Sequence, residues 1–166
     1  MKAMILAAGY GKRLLPLTKD IPKPLLKIGN KTLIEHNINN LIESGFSDIV
    51  INVSHLSKLV EGHVKEKFPK NNISFSFEEK PLGTGGGVLK ALNILGSEPF
   101  LLINSDIYHC ISFTNMPKKT EAAHLIGVPN PDHNRNGDFS IKNENMVEVQ
   151  DCLLYTSDAA DDSPSV

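Results

Sequence analysis

Cysteine, long apolar runs and aromatic residues are all scarce in this sequence, and each scarcity removes a class of protein. Only Cys110 and Cys152 occur in 166 residues. They are too few and too isolated for a disulfide framework or a zinc site, so each is expected to be a buried or incidental thiol. No segment approaches the length that crosses a bilayer, and residues 1–8 hold no long apolar run before Gly9. Neither a signal peptide nor a membrane partner is therefore expected, and a cytoplasmic location is. The six histidines are scattered without ligand spacing, His133 included, and surface or structural roles are expected for them. Two nucleotide fingerprints are missing as well. The dinucleotide pattern G-x-G-x-x-G fails at Leu14, with Asn52 and Val53 where an acidic residue would end the second strand, and no G-K-[ST] triplet exists. These failures weaken a nicotinamide-dependent oxidoreductase reading.

What remains is one domain's worth of chain, 40% hydrophobic and able to bury a real core. Residues 152–162 read "CLLYTSDAADD", a polar run without strand or helix periodicity. It resembles the translation of a mosaic-end adapter from transposon-based sequencing libraries. Residues 152–166 are accordingly expected to be a non-native, disordered tail, and residues 1–151 an incomplete domain. Without that tail the chain carries 17 basic against 16 acidic residues. The bases gather at the amino end, where Lys2, Lys12, Arg13, Lys19, Lys23, Lys27 and Lys31 face Asp20 alone. Except for Tyr10 no aromatic residue interleaves with them, so a compact polyanion such as a nucleotide fits better than a nucleic acid.

Short apolar runs alternate with stretches of helical spacing along the chain. Strands are expected at residues 2–6, 48–53, 73–77 and 100–104, with further ones at 122–128, 139–142 and 147–149. Helices are expected at residues 33–44, around 56–64, and near 88–95 after a glycine-rich loop, "EEKPLGTGGG". This order implies βαβ units and a doubly wound, mostly parallel α/β sheet, with no internal repeat and no linker. In such sheets ligands collect at the carboxyl ends of the strands. Three suggestive stretches fall there: "AAGYGKR", "PLGTGGG" and "NSD".

In the first, Gly9 and Gly11 permit positive φ and close approach, presenting amide donors to phosphate oxygens. Tight strand-to-helix turns use the same residues, so the pair alone is weak. Arg13 adds a planar fork of donors and Lys23 a point charge. Pro22 and Pro24 fix φ on both sides of that lysine. Asp106 closes the strand "FLLIN", either as a turn cap or as a metal ligand. Tyr10 is open to two roles, stacking on a nucleotide or facing solvent.

The stretch "LAAGYGKRLLPLTKDIPKP" resembles the amino-terminal signature of the sugar-1-phosphate nucleotidyltransferases. The similarity continues through "GTGGG", "LLINSD" and "GVPNPDHNRNGDF", covering essentially residues 1–151. Within that family the P-N-P-x-H segment with G-D-F is most similar to the N-acetylmuramate-1-phosphate uridylyltransferases of cell-wall recycling. Enzymes for mannose or glucose phosphates share the first motif. The resemblance implies a Rossmann-like nucleotidyltransferase fold and attack of a sugar phosphate on a nucleoside triphosphate, with release of pyrophosphate. It implies that Gly9, Gly11, Lys12 and Arg13 wrap the triphosphate, and that Lys23 sits between the α-phosphate and the incoming sugar phosphate. It implies that Gly83 and Thr84 recognise the base through backbone groups, that Asn104 and Asp138 bind the sugar, and that Asp106 holds Mg2+. Asp138 also reads as part of an ordinary hairpin turn in "NRNGDF". Family members usually read N-G-D where Ser105 stands here. The family's second magnesium-binding aspartate would lie beyond residue 151, so this chain is expected to bind nucleotide yet turn over poorly. A non-catalytic module binding nucleotide or sugar phosphate as a signal is the rival from another class. The oligomeric state is left open.

Overall fold

Alternation along the first strand divides the core in two. The computed structural model describes residues 1–119, 123–130, 135, 139–142 and 145–148. It forms two compact units, residues 1–118 and 119–166.

In the first unit β1 (Lys2–Leu6) lies between β4 (Asp48–Val53) and β6 (Phe100–Asn104), with β5 (Asn72–Phe77) outside β4. All four strands are parallel, in the order β5-β4-β1-β6. Ala3 and Ile5 of β1, with Ile49, Ile51 and Val53 of β4, point to one face. There they meet Ile34, Ile38 and Leu41 of α1 (Leu33–Glu43) and Val60 and Val64 of α2 (Ser57–Lys67). Met4 and Val50 point to the other face, against Ala91 and Leu95 of α3 (Gly83–Leu95). Side chains alternate across a strand, so one sheet with helices on both faces follows from the apolar pattern. This is a doubly wound, Rossmann-like α/β architecture. A two-residue pairing of β2 (Lys27–Ile28) with β3 (Lys31–Thr32), which periodicity does not reveal, precedes α1. Thr32 and Glu35 start that helix with a reciprocal capping box.

Two expectations are corrected. The glycine-rich stretch is no loop, because α3 begins at Gly83. A β-carbon on Gly87 would sit 2.7 Å from Asn52 Nδ2 and 2.9 Å from Glu78 Oε1. Composition reads these glycines as a break, whereas the packing uses one of them to bring a helix close to buried polar groups. Residues 123–128 run without strand geometry, and Leu125, Ile126 and Val128 are exposed. An apolar run becomes a strand only where another strand offers its edge.

In the second unit β7 (Phe139–Lys142) and β8 (Asn145–Glu148) pair antiparallel, Phe139 opposite Glu148. Residues 152–166, with Cys152, and also Ala122, His133 and Asp138, lie outside the described residues.

Candidate active site

The chain after β1 is held in a defined shape by a residue that the sequence reading passed over. Gly11 has φ +66°, and its carbonyl accepts from the hydroxyl of buried Thr18 at 2.8 Å. A β-carbon there would lie 3.1 Å from Thr18 Cγ2 and 3.3 Å from Lys23 Cβ, so the loop packs directly on the lysine segment. Gly9 has neither a positive φ nor a neighbour within 4 Å of such a carbon, and only Gly11 needs to be glycine on steric grounds. Gly11→Ala should therefore cost about 1–2 kcal/mol. Gly9→Ala should be close to neutral, and urea midpoints of the two variants give the comparison.

Lys12 and Arg13 follow on a short 3-10 turn, Lys12–Leu14, with both residues exposed. The Lys12 ammonium lies 5.4 Å from the Tyr10 ring centroid, and that ring lies 5.6 Å from His55. Tyr10, 39% exposed, thus covers the loop from the solvent side.

Lys23 sits on a second short turn, Lys23–Leu25, between two buried prolines. Its ammonium reaches the Asp106 carboxylate at 2.5 Å, with the side chains 25% and 30% exposed. Residues 83 positions apart in the chain are brought together because β1 and β6 are neighbours and both loops leave at their carboxyl ends. Ser105, at the position of the family's glycine, is buried, and its N–H donates to Leu6 O at 3.0 Å, extending the β1–β6 ladder by one bond. Asn104, half-buried, ends β6 beside it.

If a metal ion replaced the Lys23 ammonium here, Asp106 would offer it a single carboxylate. Among the described residues no group of three or more His, Cys, Asp or Glu could cage a metal. That donor set suits Mg2+, which accepts one or two carboxylates and completes its octahedron with phosphates and water. It does not suit zinc, which needs three or four protein ligands.

Gly83, with φ +72°, and Thr84 open α3, which follows β5. A buried polar chain joins this region to the first loop. The Ala7 N–H donates to Asn52 Oδ1 at 2.7 Å, Asn52 Nδ2 donates to Glu78 Oε1 at 2.8 Å, and the Leu82 N–H donates to Glu78 Oε2 at 2.8 Å. Asn52 and Glu78 are both buried. One visible signal pointed to them: a polar residue inside the apolar strand "DIVINV", and an acid directly after the next strand.

The remaining candidates are placed as follows. Cys110 is exposed rather than buried. His63 pairs with Glu35 at 3.1 Å, and His36 lies 3.0 Å from the Ile28 carbonyl. Desolvation holds His109 below its ordinary pKa, which favours the neutral ring. Its Nδ1 accepts from the Ile111 N–H.

Comparison with known proteins shows the family. A family model described as nucleotidyl transferase matches residues 2–149. The chain is 40% identical over 160 residues to the N-acetylmuramate alpha-1-phosphate uridylyltransferase of Neisseria meningitidis serogroup B, covering 90% of this chain and 68% of that protein. It is also 40% identical over 120 residues to mannose-1-phosphate guanyltransferase beta-B of Xenopus laevis, covering 70% of this chain and 33% of that one. Among solved structures, UDP-glucose pyrophosphorylase complexed with UDP-glucose matches with a TM-score of 0.53 at 30% identity, over 63% of this chain and 45% of that one. HddC from Yersinia pseudotuberculosis complexed with GMP-PN matches with a TM-score of 0.56 at 32% identity, over 63% and 47%. The chain thus spans about a third of the guanyltransferase and less than half of each of these structures.

Proposed function

The chain belongs to the nucleotidyl transferase family, and from that premise we propose that it joins a nucleoside triphosphate to a sugar 1-phosphate with release of pyrophosphate. The observation that supports this reading most is the Lys23–Asp106 pair lying against the Gly11 loop at the carboxyl edge of the sheet. It sets a cationic and an anionic side chain side by side, and in this reading the first takes phosphate and the second a metal.

In the proposed reaction an oxygen of the sugar phosphate attacks the α-phosphorus. The bond to the bridging oxygen of the β-phosphate breaks, and pyrophosphate leaves with that electron pair. No protein nucleophile is needed, because the sugar phosphate supplies one; the protein must position two anions and offset their repulsion. Gly9, Gly11, Lys12 and Arg13 bind the triphosphate and steady the departing pyrophosphate. Lys23 leaves Asp106 to lie between the α-phosphate and the sugar phosphate. Asp106 would hold Mg2+, which would supply positive charge to offset that of the phosphates. Gly83 and Thr84 meet the base, and Asn104 meets the sugar.

UTP and N-acetylmuramate 1-phosphate are the proposed substrates, since the relative so named matches nine-tenths of the chain. The guanyltransferase match supports mannose 1-phosphate with GTP as the second reading. Among the described residues no helix is long and apolar enough to cross a membrane, and a cytoplasmic location is part of this proposal.

A thermal-shift panel tests it. A ligand at about a hundred times its Kd stabilises the folded state by about 2.7 kcal/mol, which for a chain of this size is about 5–10 °C. Mg2+ with UTP should give such a shift and NAD none. Stabilisation by NAD alone would sink the transferase reading. Pyrophosphate release on adding N-acetylmuramate 1-phosphate, compared with mannose 1-phosphate, then distinguishes the two substrates.

A further inference from the structure

Residues 105–113 carry the Asp106 carboxylate yet form no strand or helix. Backbone groups buried in such a segment must find partners outside a regular ladder. Helix α1 provides them. Asn37 Nδ2 shares its two N–H donors among three carbonyls, Ser105 O and Ile107 O, each at 3.2 Å, and Leu33 O one turn back in its own helix at 3.0 Å. Asn40 Nδ2 donates to Ile111 O at 2.9 Å. Ser44, which caps the helix, accepts from the Phe113 N–H at 3.1 Å. Positions 37, 40 and 44 are three and four residues apart and share one helix face. They form a polar rail along a helix whose other buried positions are mostly apolar.

Asn37 stands apart within this rail because its two long-range bonds bracket Asp106, one carbonyl on each side. Its side chain belongs to a residue only 2% exposed, so the amide has little water to exchange for these carbonyls. The Ser105 N–H is held by Leu6 O as well. The turn is therefore fixed through its backbone, independently of the Lys23 ammonium on the carboxylate. When a phosphate draws Lys23 away, that ion pair no longer holds Asp106, but the clamp from α1 still does.

We propose that Asn37 is a positioning residue for the cation site, holding the Asp106 turn in the geometry that binds a divalent metal after Lys23 has moved to phosphate. This rests on the assignment of Asp106 as metal ligand. Groups that orient a ligand from behind typically change metal affinity by about 10–100-fold when they are removed.

The test titrates the chain with Mn2+ as a paramagnetic probe, in the presence of α,β-methylene-UTP and, in parallel, its GTP counterpart. Water-proton relaxation reports the protein-bound ion. Asn37→Leu should weaken Mn2+ by about tenfold. Asn40→Leu removes an anchor from the same segment at a distance from Asp106, and should lower the melting temperature comparably while leaving Mn2+ affinity unchanged. Equal loss of Mn2+ affinity in the two variants, or none in either, overturns the inference while the metal assignment stands. Wild-type Mn2+ binding in Asp106→Asn instead removes the metal assignment, and the inference with it. If Asn37→Leu does not fold, Asn37→Ser, whose hydroxyl is too short to reach both carbonyls, should shift affinity in the same direction, and an unshifted value overturns the proposal.

Discussion

Lys23→Ala should lower pyrophosphate release by about 10²–10³-fold while the protein stays folded. The expected split comes from where the lysine is and what it touches. Its ammonium is partly exposed, and its one ion partner among the described residues is Asp106, also partly exposed. Such a pair contributes at most about 1 kcal/mol to stability once solvent screening is allowed for. The melting temperature should therefore move by only a few degrees. In the proposed reaction, by contrast, the same ammonium lies between two phosphates that approach each other, where no water can replace it. Its buried proline neighbours hold it there at little entropic cost. Lys23→Arg should recover little, because a guanidinium is larger and needs a planar pair of acceptors. Stopped-flow or coupled assays of pyrophosphate with circular dichroism on the same preparations give both quantities. Unchanged turnover in Lys23→Ala would take the residue out of the mechanism.

Gly87→Ala should destabilise the protein by about 2–4 kcal/mol. Gly85→Ala, two positions earlier in the same helix, should stabilise it by up to about 1 kcal/mol. Both glycines lie inside α3, where alanine has the higher helix propensity. At Gly85 the added carbon meets nothing within 4 Å. At Gly87 it meets the Asn52 amide and the Glu78 carboxylate at distances that require one of them to move. Those groups are buried and hydrogen-bonded to each other, to Ala7 and to Leu82. Movement would leave a buried donor or carboxylate without its partner. Urea denaturation of the two variants gives the sign directly. A Gly87→Ala variant as stable as wild type would show that the polar chain yields easily and places no constraint on the helix.

The parts of the molecule that were legible in its sequence are those governed by periodicity and local geometry. Continuous apolar runs in 2–6 and 48–53, and helical spacing of Ile34, Ile38 and Leu41, are local statements about which positions must be kept from water. They hold whatever the neighbouring chain does. The order of strands and helices then restricts the topology to a doubly wound sheet, and its strand ends to one edge. The two short stretches around Arg13 and Lys23, with prolines that set φ, were legible for the same reason. A glycine's role was less so. Gly9 and Gly11 look equivalent in "AAGYG", but only Gly11 has a positive φ and neighbours that exclude a side chain.

Contacts between distant residues were not legible. Nothing local marks Asn37 as the partner of carbonyls 68 and 70 residues away, or Thr18 as the tether of a glycine loop. Asparagine and threonine are ordinary on exposed surfaces, and only burial makes their hydrogen bonds obligatory.

Taken by itself, the sequence determined the elements, their alternation and the chemistry available at their ends, because backbone preference and hydrophobic period are properties of a residue and its near neighbours. Tertiary structure alone decided that Lys23 meets Asp106, that a run of glycines becomes a helix, and that α1 clamps the aspartate's turn. Those outcomes depend on which strands lie side by side, and adjacency is settled by the packing of the whole core rather than by any one stretch of chain.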